Sequence, residues 1–439
     1  MDVPSPSFTH PQERRRRSRP RLRGLAVVAA PLLAAWMVYQ LGLRDKRQEV
    51  DAVWAAHPDL KAFLAFQPPP TNPSALRLEE LARALDLNLV PRLSKAQHPR
   101  EQEAKALKAV SPYLKRQYGR ERRDLEPLPQ DLDAWLAAHR SQLDAVALHL
   151  AASPPPVWSL PEDITAELSG DNLWTRFRFN KLLVVAALDQ LRRGADQRAL
   201  RLARASWQLD GGLADRSDVA GCLIGLAADR NVLLVLLEAP EVSREWVDEL
   251  RRRDYLTCFR RAQTIESRVL STSGRDFAHY IGLDTSAAWR AGLGALFIPY
   301  FTHVGLDSAQ RQLGLVAVLD HVDFCKETPD SVEARYRATL PEWNRSSAFL
   351  SNRAQAWGRV QRFALERDLL VKTIELRAQR AELGHWPETL ADGVPPTSCP
   401  ERAWDYRVEA DGAAVIELSG EPPWQPATGS VLPLAARLR

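Results

Sequence analysis

The sequence predicts a mainly α-helical protein held by one N-terminal transmembrane helix, with an ectodomain that is a helical bundle or irregular α-solenoid, closed by a small C-terminal β-hairpin cap. Three observations carry this. Residues 24–43 form an uncharged apolar run directly behind an arginine cluster. The middle of the chain repeats apolar residues at i, i+3, i+4 and i+7, with glycines where helices should stop. Near the C-terminus, WDYRVE and AAVIEL flank an Asp-Gly turn and carry the aromatic and β-branched residues of strands.

The N-terminal element is the most explicit. A helix over the 20 residues 24–43 rises about 30 Å, the thickness of a bilayer's hydrocarbon core. Cleavage as a secretory signal is disfavoured, because the best cuts leave Leu33 or Val28 at the position that needs a small side chain. Arg14, Arg15, Arg16, Arg17, Arg19, Arg21 and Arg23 precede the span, whereas only Arg44, Lys46 and Arg47 follow it closely. That asymmetry keeps the tail in the cytoplasm and sends the body to the periplasm of an inner membrane. Residues 1–23 carry +5, so the other 416 residues of this +4 chain sit near −1. The body lacks the positive field that draws phosphate polymers, so nucleic acid is excluded as a partner and the arginines are assigned to topology and anionic lipid.

The chain then divides by composition. After the basic tail (1–23) and the span (24–43) come a membrane-proximal helical stalk (44–66), a proline-rich linker (67–73) and a helical region (74–152). A second proline-rich linker (153–162) leads to a helical core domain (163–383) and a β-containing cap (384–439). Within the core, Gly194, Gly211 and Gly212 are placed as helix C-caps, and Leu202, Ala205, Ser206 and Leu209 share one helical face. NVLLVLLEA and GLGALFIPYF are apolar but short, so they read as core helices and not as further spans. A long amphipathic helix over 350–383 stops at Gly384. Trp207, Trp246, Trp289 and Trp357 read as core fillers, and His139 and His149 as core or surface residues.

Two stretches carry resemblances. Residues 172–228, centred on GADQRALRLARASWQLDGGLADRSDVAGCLIGLAA, look like a group of uncharacterised bacterial single-pass membrane-anchored helical proteins. The resemblance implies a helical fold and an anchor, and no activity. ELRAQRAELGHWPETL, residues 375–390, is similar to the point in type II secretion pseudopilins where a long helix ends at glycine and an aromatic-proline pair opens the head. Here about 330 residues separate that helix from the membrane segment, and no prepilin processing site occurs. This second resemblance implies shape only.

Chemistry is weakly marked. The motifs HExxH, GxSxG, SxxK, Walker A and GxGxxG are absent, so no catalytic residue and no cofactor is nominated. The best metal candidates are Asp320, His321 and Asp323 in LDHVDFC, with Asp276 and His279 at i, i+3 as a second pair. Cys222, Cys258, Cys325 and Cys399 form no CxxC pair; they allow up to two disulfides in three connectivities, or buried thiols. The expected function is a periplasmic binding or scaffolding module with the bilayer and an envelope protein as partners. The alternatives are a periplasmic metal-dependent or other hydrolase, and an envelope secretion-system component.

Overall fold

A computed structural model describes residues 19–56, 70–87, 101–158, 171–213, 218–271, 294–338, 347–390, 398–420, 422–424 and 432–438, together with 89 and 396. The described chain is mainly helical, with one three-stranded antiparallel sheet near its end. The helices are α1 (Arg19–Ala56), α2 (Pro73–Arg83), α3 (Glu101–Gln117), α4 (Gln130–Ala138), α5 (Arg140–Ala152), α6 (Asp171–Arg192) and α7 (Asp196–Leu209). They continue as α8 (Val219–Glu238), α9 (Glu245–Arg252), α10 (Tyr255–Ser271), α11 (Gly294–Leu319), α12 (Pro329–Arg337) and α13 (Ser347–Leu383).

The body is organised around α8. Asp218 caps its start by accepting the Gly221 N–H at 2.6 Å, and the twenty residues that follow are apolar on every side except for Asp229, Arg230 and Asn231 in the middle and Glu238 at the end. A helix without a polar face has to be surrounded, and α6, α7, α10 and α13 pack around it. α8 is long and apolar enough to cross a membrane, but its burial inside the body marks it as the core helix that NVLLVLLEA predicts. α6 and α7 form a hairpin at Gly194, whose φ of +78° lets the chain reverse. At the other expected stop, Asp210 is the C-cap of α7, and residues Gly211–Leu213 continue as a 3₁₀ turn. The carbonyls of Trp207 and Gly211 are satisfied there by the Arg253 guanidinium, at 3.0 and 2.6 Å, so a left-handed glycine is not needed.

The two proline-rich segments meet in their described parts. Asn72 accepts the Ala75 N–H at 2.8 Å to cap α2, a contact worth about 1 kcal/mol. The same residue donates its side-chain amide to the Pro155 carbonyl at 2.9 Å and its backbone N–H to the Val157 carbonyl at 2.9 Å. Prolines carry carbonyls but no N–H groups, so such segments need donors from elsewhere. The described ends of the two linkers are therefore joined edge to edge. One apolar core runs from Leu78 through α6–α8 to Leu438, so residues 74–152, 163–383 and the cap share a single interior.

In the segment expected as a stalk, 44–66, the described part is helical and packed on the body. α1 continues without a break through Ala56, and Leu43, Val50 and Trp54 are buried against Val304, Leu306 and Ala309 of α11. Lys46 pairs with Asp307 at 2.9 Å, and the Trp54 indole donates to Ser267 Oγ at 3.0 Å. The apolar face of this segment is thus packed on the body. Residues 57–66 lie outside the described residues.

The expected hairpin forms β1 (Trp404–Val408) and β2 (Ala414–Leu418), turning at Gly412 with φ of +79°. A third strand, β3 (Ala435–Leu438), pairs with β2. The cap docks on α13 through Trp424, which packs against Phe324 and Trp357 with ring centroids 5.4 Å from each. Of the four cysteines, Cys325 and Cys399 form a disulfide across 74 residues, whereas Cys222 and Cys258 are buried thiols. The remaining tryptophan expectations hold for Trp207, Trp246 and Trp357, all buried; Trp289 lies outside the described residues.

Trp424 fits because position 358 lacks a side chain: a Cβ there would meet the indole Cε3 at 1.9 Å. Gly358→Ala should therefore lower stability by about 1–3 kcal/mol, the cost of overpacking a filled site. Thermal unfolding followed by near-ultraviolet circular dichroism reads this, and an unchanged melting temperature would show that the cap does not depend on the contact.

Candidate functional site: a cleft between the helical body and the cap

Of the metal candidates nominated from sequence, Asp320, His321 and Asp323 lie in the described part of the chain. Asp320 pairs with Arg260 at 2.6 Å, and His321 is exposed. Asp323 accepts the Cys325 N–H at 2.9 Å and lies 3.3 Å from Lys326 Nζ, so it stabilises the turn after α11. Asp276 and His279 lie outside the described residues. Among the described residues no group of three or more His, Cys, Asp and Glu side chains could hold a metal ion. His139 stacks on Trp135 with ring centroids 4.2 Å apart, and His149 lies 2.9 Å from the Ser74 carbonyl, so both serve helix packing.

The structure offers a different place. A cleft of about 1070 Å³ opens between the C-terminal ends of α8 and α13, the loop after α3, and the sheet. Its lining contains eight arginines against four glutamates. Most of these guanidiniums are committed. Arg122 pairs with Asp196, Arg192 with Asp189, and Arg437 with Glu409 and Asp411. Arg377 donates to the carbonyls of Leu237 and Ala239 at 2.8 and 2.7 Å, closing the C-terminus of α8. Arg380 differs: it lies over the Trp386 ring, 4.4 Å from its centroid, and makes no carboxylate pair among the described residues. A cation stacked on an indole keeps its in-plane N–H groups available to a ligand. Trp386 is held in turn by donating to the Gly412 carbonyl at 3.0 Å.

Glu238, on the cleft wall, ends α8. Burial pushes its carboxyl up to about 7, while the Arg122 backbone N–H and the Arg377 charge oppose that shift. A carboxylate at a helix C-terminus also faces the negative end of the dipole. Glu238 can therefore exchange a proton near neutrality.

Behind the cleft, α8 carries a polar seam. The Tyr118 hydroxyl donates to Asn231 Oδ1 at 2.6 Å, and Asn231 donates to Asn180 Oδ1 at 3.1 Å. Asn180 donates to Ser206 Oγ and to Asp210 Oδ2, at 2.7 and 2.6 Å. One residue earlier on α8, Arg230 donates to Glu366 of α13 at 2.6 Å, and Asp229 accepts from the Tyr255 hydroxyl at 2.7 Å. Sequence analysis nominated none of these residues. The available signal was an Asp-Arg-Asn triplet interrupting a helix that is otherwise apolar up to its final Glu238, since buried polar groups must be partnered.

Comparison of the chain with protein-family models, curated proteins and solved structures finds no match. The functional reading therefore rests on geometry and chemistry.

The seam makes stability pH-dependent. Burial, reinforced by the neighbouring Asp229, raises the Asp210 carboxyl from 3.8 to about 7, against the pull of Arg176, Asn180 and Arg253. A raised acid stabilises the fold fully below its unfolded value, and that contribution is lost as pH climbs through the folded value. Asp210→Asn, which keeps an acceptor for Asn180 but cannot ionise, should melt higher than the parent at about pH 8. The advantage should shrink toward about pH 4, near the ordinary carboxylate value. Thermal melts across that range test it, and a pH-independent difference would sink the assignment.

Proposed function

We propose that the protein is a single-pass inner-membrane binding module whose periplasmic body receives an acidic segment of an envelope partner in the cleft between body and cap. The observation that carries the binding reading is Arg380, a cation presented on an aromatic platform in a large cleft and without a carboxylate pair among the described residues. An acidic ligand would complete it with charge-assisted hydrogen bonds.

Two features support the membrane placement. Trp36, Met37 and Val38 are consecutive on α1 and exposed, with Tyr39 beside them meeting His303 of α11, so the helix turns apolar side chains outward over most of its circumference at that level. From Leu43 onward burial is confined to one face. Apolar exposure over most of a helix's circumference is the signature of a lipid environment. The Cys325–Cys399 disulfide favours an oxidising compartment for the body. The arginines before the span supply the orientation.

Glu238 favours a second reading, acid–base hydrolysis in the same cleft, because a carboxyl near 7 suits proton transfer at neutral pH. The readings differ in the fate of the ligand: binding returns it intact, hydrolysis does not.

A photo-cross-linking amino acid at position 241, on the cleft lining, should trap one discrete adduct in intact cells while Arg380 is kept, whereas the same group at exposed Leu148, outside the cleft lining, should not. Mass spectrometry of the adduct reports whether the trapped segment is acidic and uncleaved. Equal labelling from both positions would remove the cleft as the site. A phosphatase reporter fused after Arg439 should be active outside the cytoplasm, and activity only inside it would overturn the orientation.

A further inference from the structure

The geometry points to a second membrane-inserted element: the N-terminal half of α11 enters the outer leaflet beside α1 as a half-length apolar helix, seating the body in the bilayer surface. This inference rests on reading α1 as an anchor. It replaces the expectation that GLGALFIPYF is an ordinary core helix.

α1 and α11 run parallel and in step. The Tyr39 and His303 rings are 5.9 Å apart, Lys46 meets Asp307 at 2.9 Å, and Gln310 donates to Glu49 at 3.1 Å. Leu43 and Val50 are buried in the seam between the two helices, with Val304, Leu306 and Ala309. Whatever precedes His303 on α11 therefore lies level with what precedes Tyr39 on α1, which is the exposed stretch of Trp36, Met37 and Val38.

The charge boundary agrees. On α1, charge resumes at Arg44 after the uncharged residues 24–43; on α11 it begins at Asp307, after residues 291–306 carry none. The Lys46–Asp307 pair joins the two boundaries, and Arg311 adds a second cation 2.8 Å from the same carboxylate. Two neighbouring helices thus lose charge at one common level, where headgroups would give way to hydrocarbon.

Length decides between spanning and dipping. From Gly294 to His303 a helix rises about 13 Å, close to half of the roughly 30 Å hydrocarbon core. The whole uncharged run 291–306 reaches only about 24 Å as a helix, short of that core. The element is too short to span and reaches into one leaflet only. Its occupant is lipid, because the exposed α1 residues at the same level already require it.

Site-directed spin labelling of the full chain in lipid nanodiscs tests this. Labels at Val38→Cys, Leu296→Cys, Phe301→Cys and Gln310→Cys are relaxed by oxygen, which partitions into lipid, or by a water-soluble nickel chelate. Labels at 38, 296 and 301 should respond several-fold more to oxygen, and the label at 310 more to nickel. Position 296 should read about 7 Å deeper than 301, from helical rise. If 38 reads as lipid while 296 and 301 are aqueous, shielded from both probes, or equal in depth, the inference fails and the anchor stands. If 38 itself reads as aqueous, the anchor and the inference fall together.

Discussion

Three consecutive polar side chains in the most apolar helix set the arrangement of the body. Successive residues of an α-helix point about 100° apart, so Asp229, Arg230 and Asn231 address three different neighbours. Asp229 accepts from Tyr255 at the start of α10, Arg230 reaches Glu366 of α13, and Asn231 links Tyr118 to Asn180 of α6. Apolar packing alone would let α6, α10 and α13 slide or rotate against α8 at little cost. A buried charge or amide that loses its partner costs several kcal/mol, so each contact fixes a register. The Arg230–Glu366 pair is buried on both sides, with 10% and 0% of its side chains exposed. Buried pairs of this kind contribute little net stability against apolar replacements; here the pair holds α13, and hence the cap, in place.

The cleft follows from that placement. Arg377 lies eleven residues after Glu366 on α13, and it closes α8 by donating to two carbonyls at its end. One further turn brings Arg380 over Trp386. The cap is held to the body by Trp424 and by the disulfide that joins the turn after α11 to the chain entering β1. The positions of Arg380 and Glu238 are thus inherited from contacts made deeper in the body. Neither residue lies on a loop free to rearrange.

What was legible in the sequence was local. Gly194, Gly384 and the Asp-Gly turn at residues 411–412 mark reversals whose geometry depends on the residue itself, and the structure gives all three glycines positive φ. The helical periodicity between Leu202 and Leu209 reports a buried face, and those residues are buried. What was not legible depends on partners distant in sequence. Asn72 meets Val157 across 85 residues and Arg230 meets Glu366 across 136. The short AARL segment gives no strand signal until β2 offers it an edge. The metal candidates had suitable chemistry, but Asp320 and Asp323 are drawn into local ion pairs with Arg260 and Lys326. The cleft was invisible for the same reason, since its walls come from segments more than three hundred residues apart.

The unbroken course of α1 sets the azimuth of the body. A helix that passes without a break from its exposed apolar stretch into the grip of α11 has no swivel between the two. Rotation of the N-terminal part of α1 about its own axis turns everything attached to it. One residue inserted between Leu41 and Leu43 would therefore sweep the cleft about 100° around the axis of α1 while moving it only about 1.5 Å along that axis. Under the proposed membrane placement, the cleft would then face a different neighbour with its own chemistry intact.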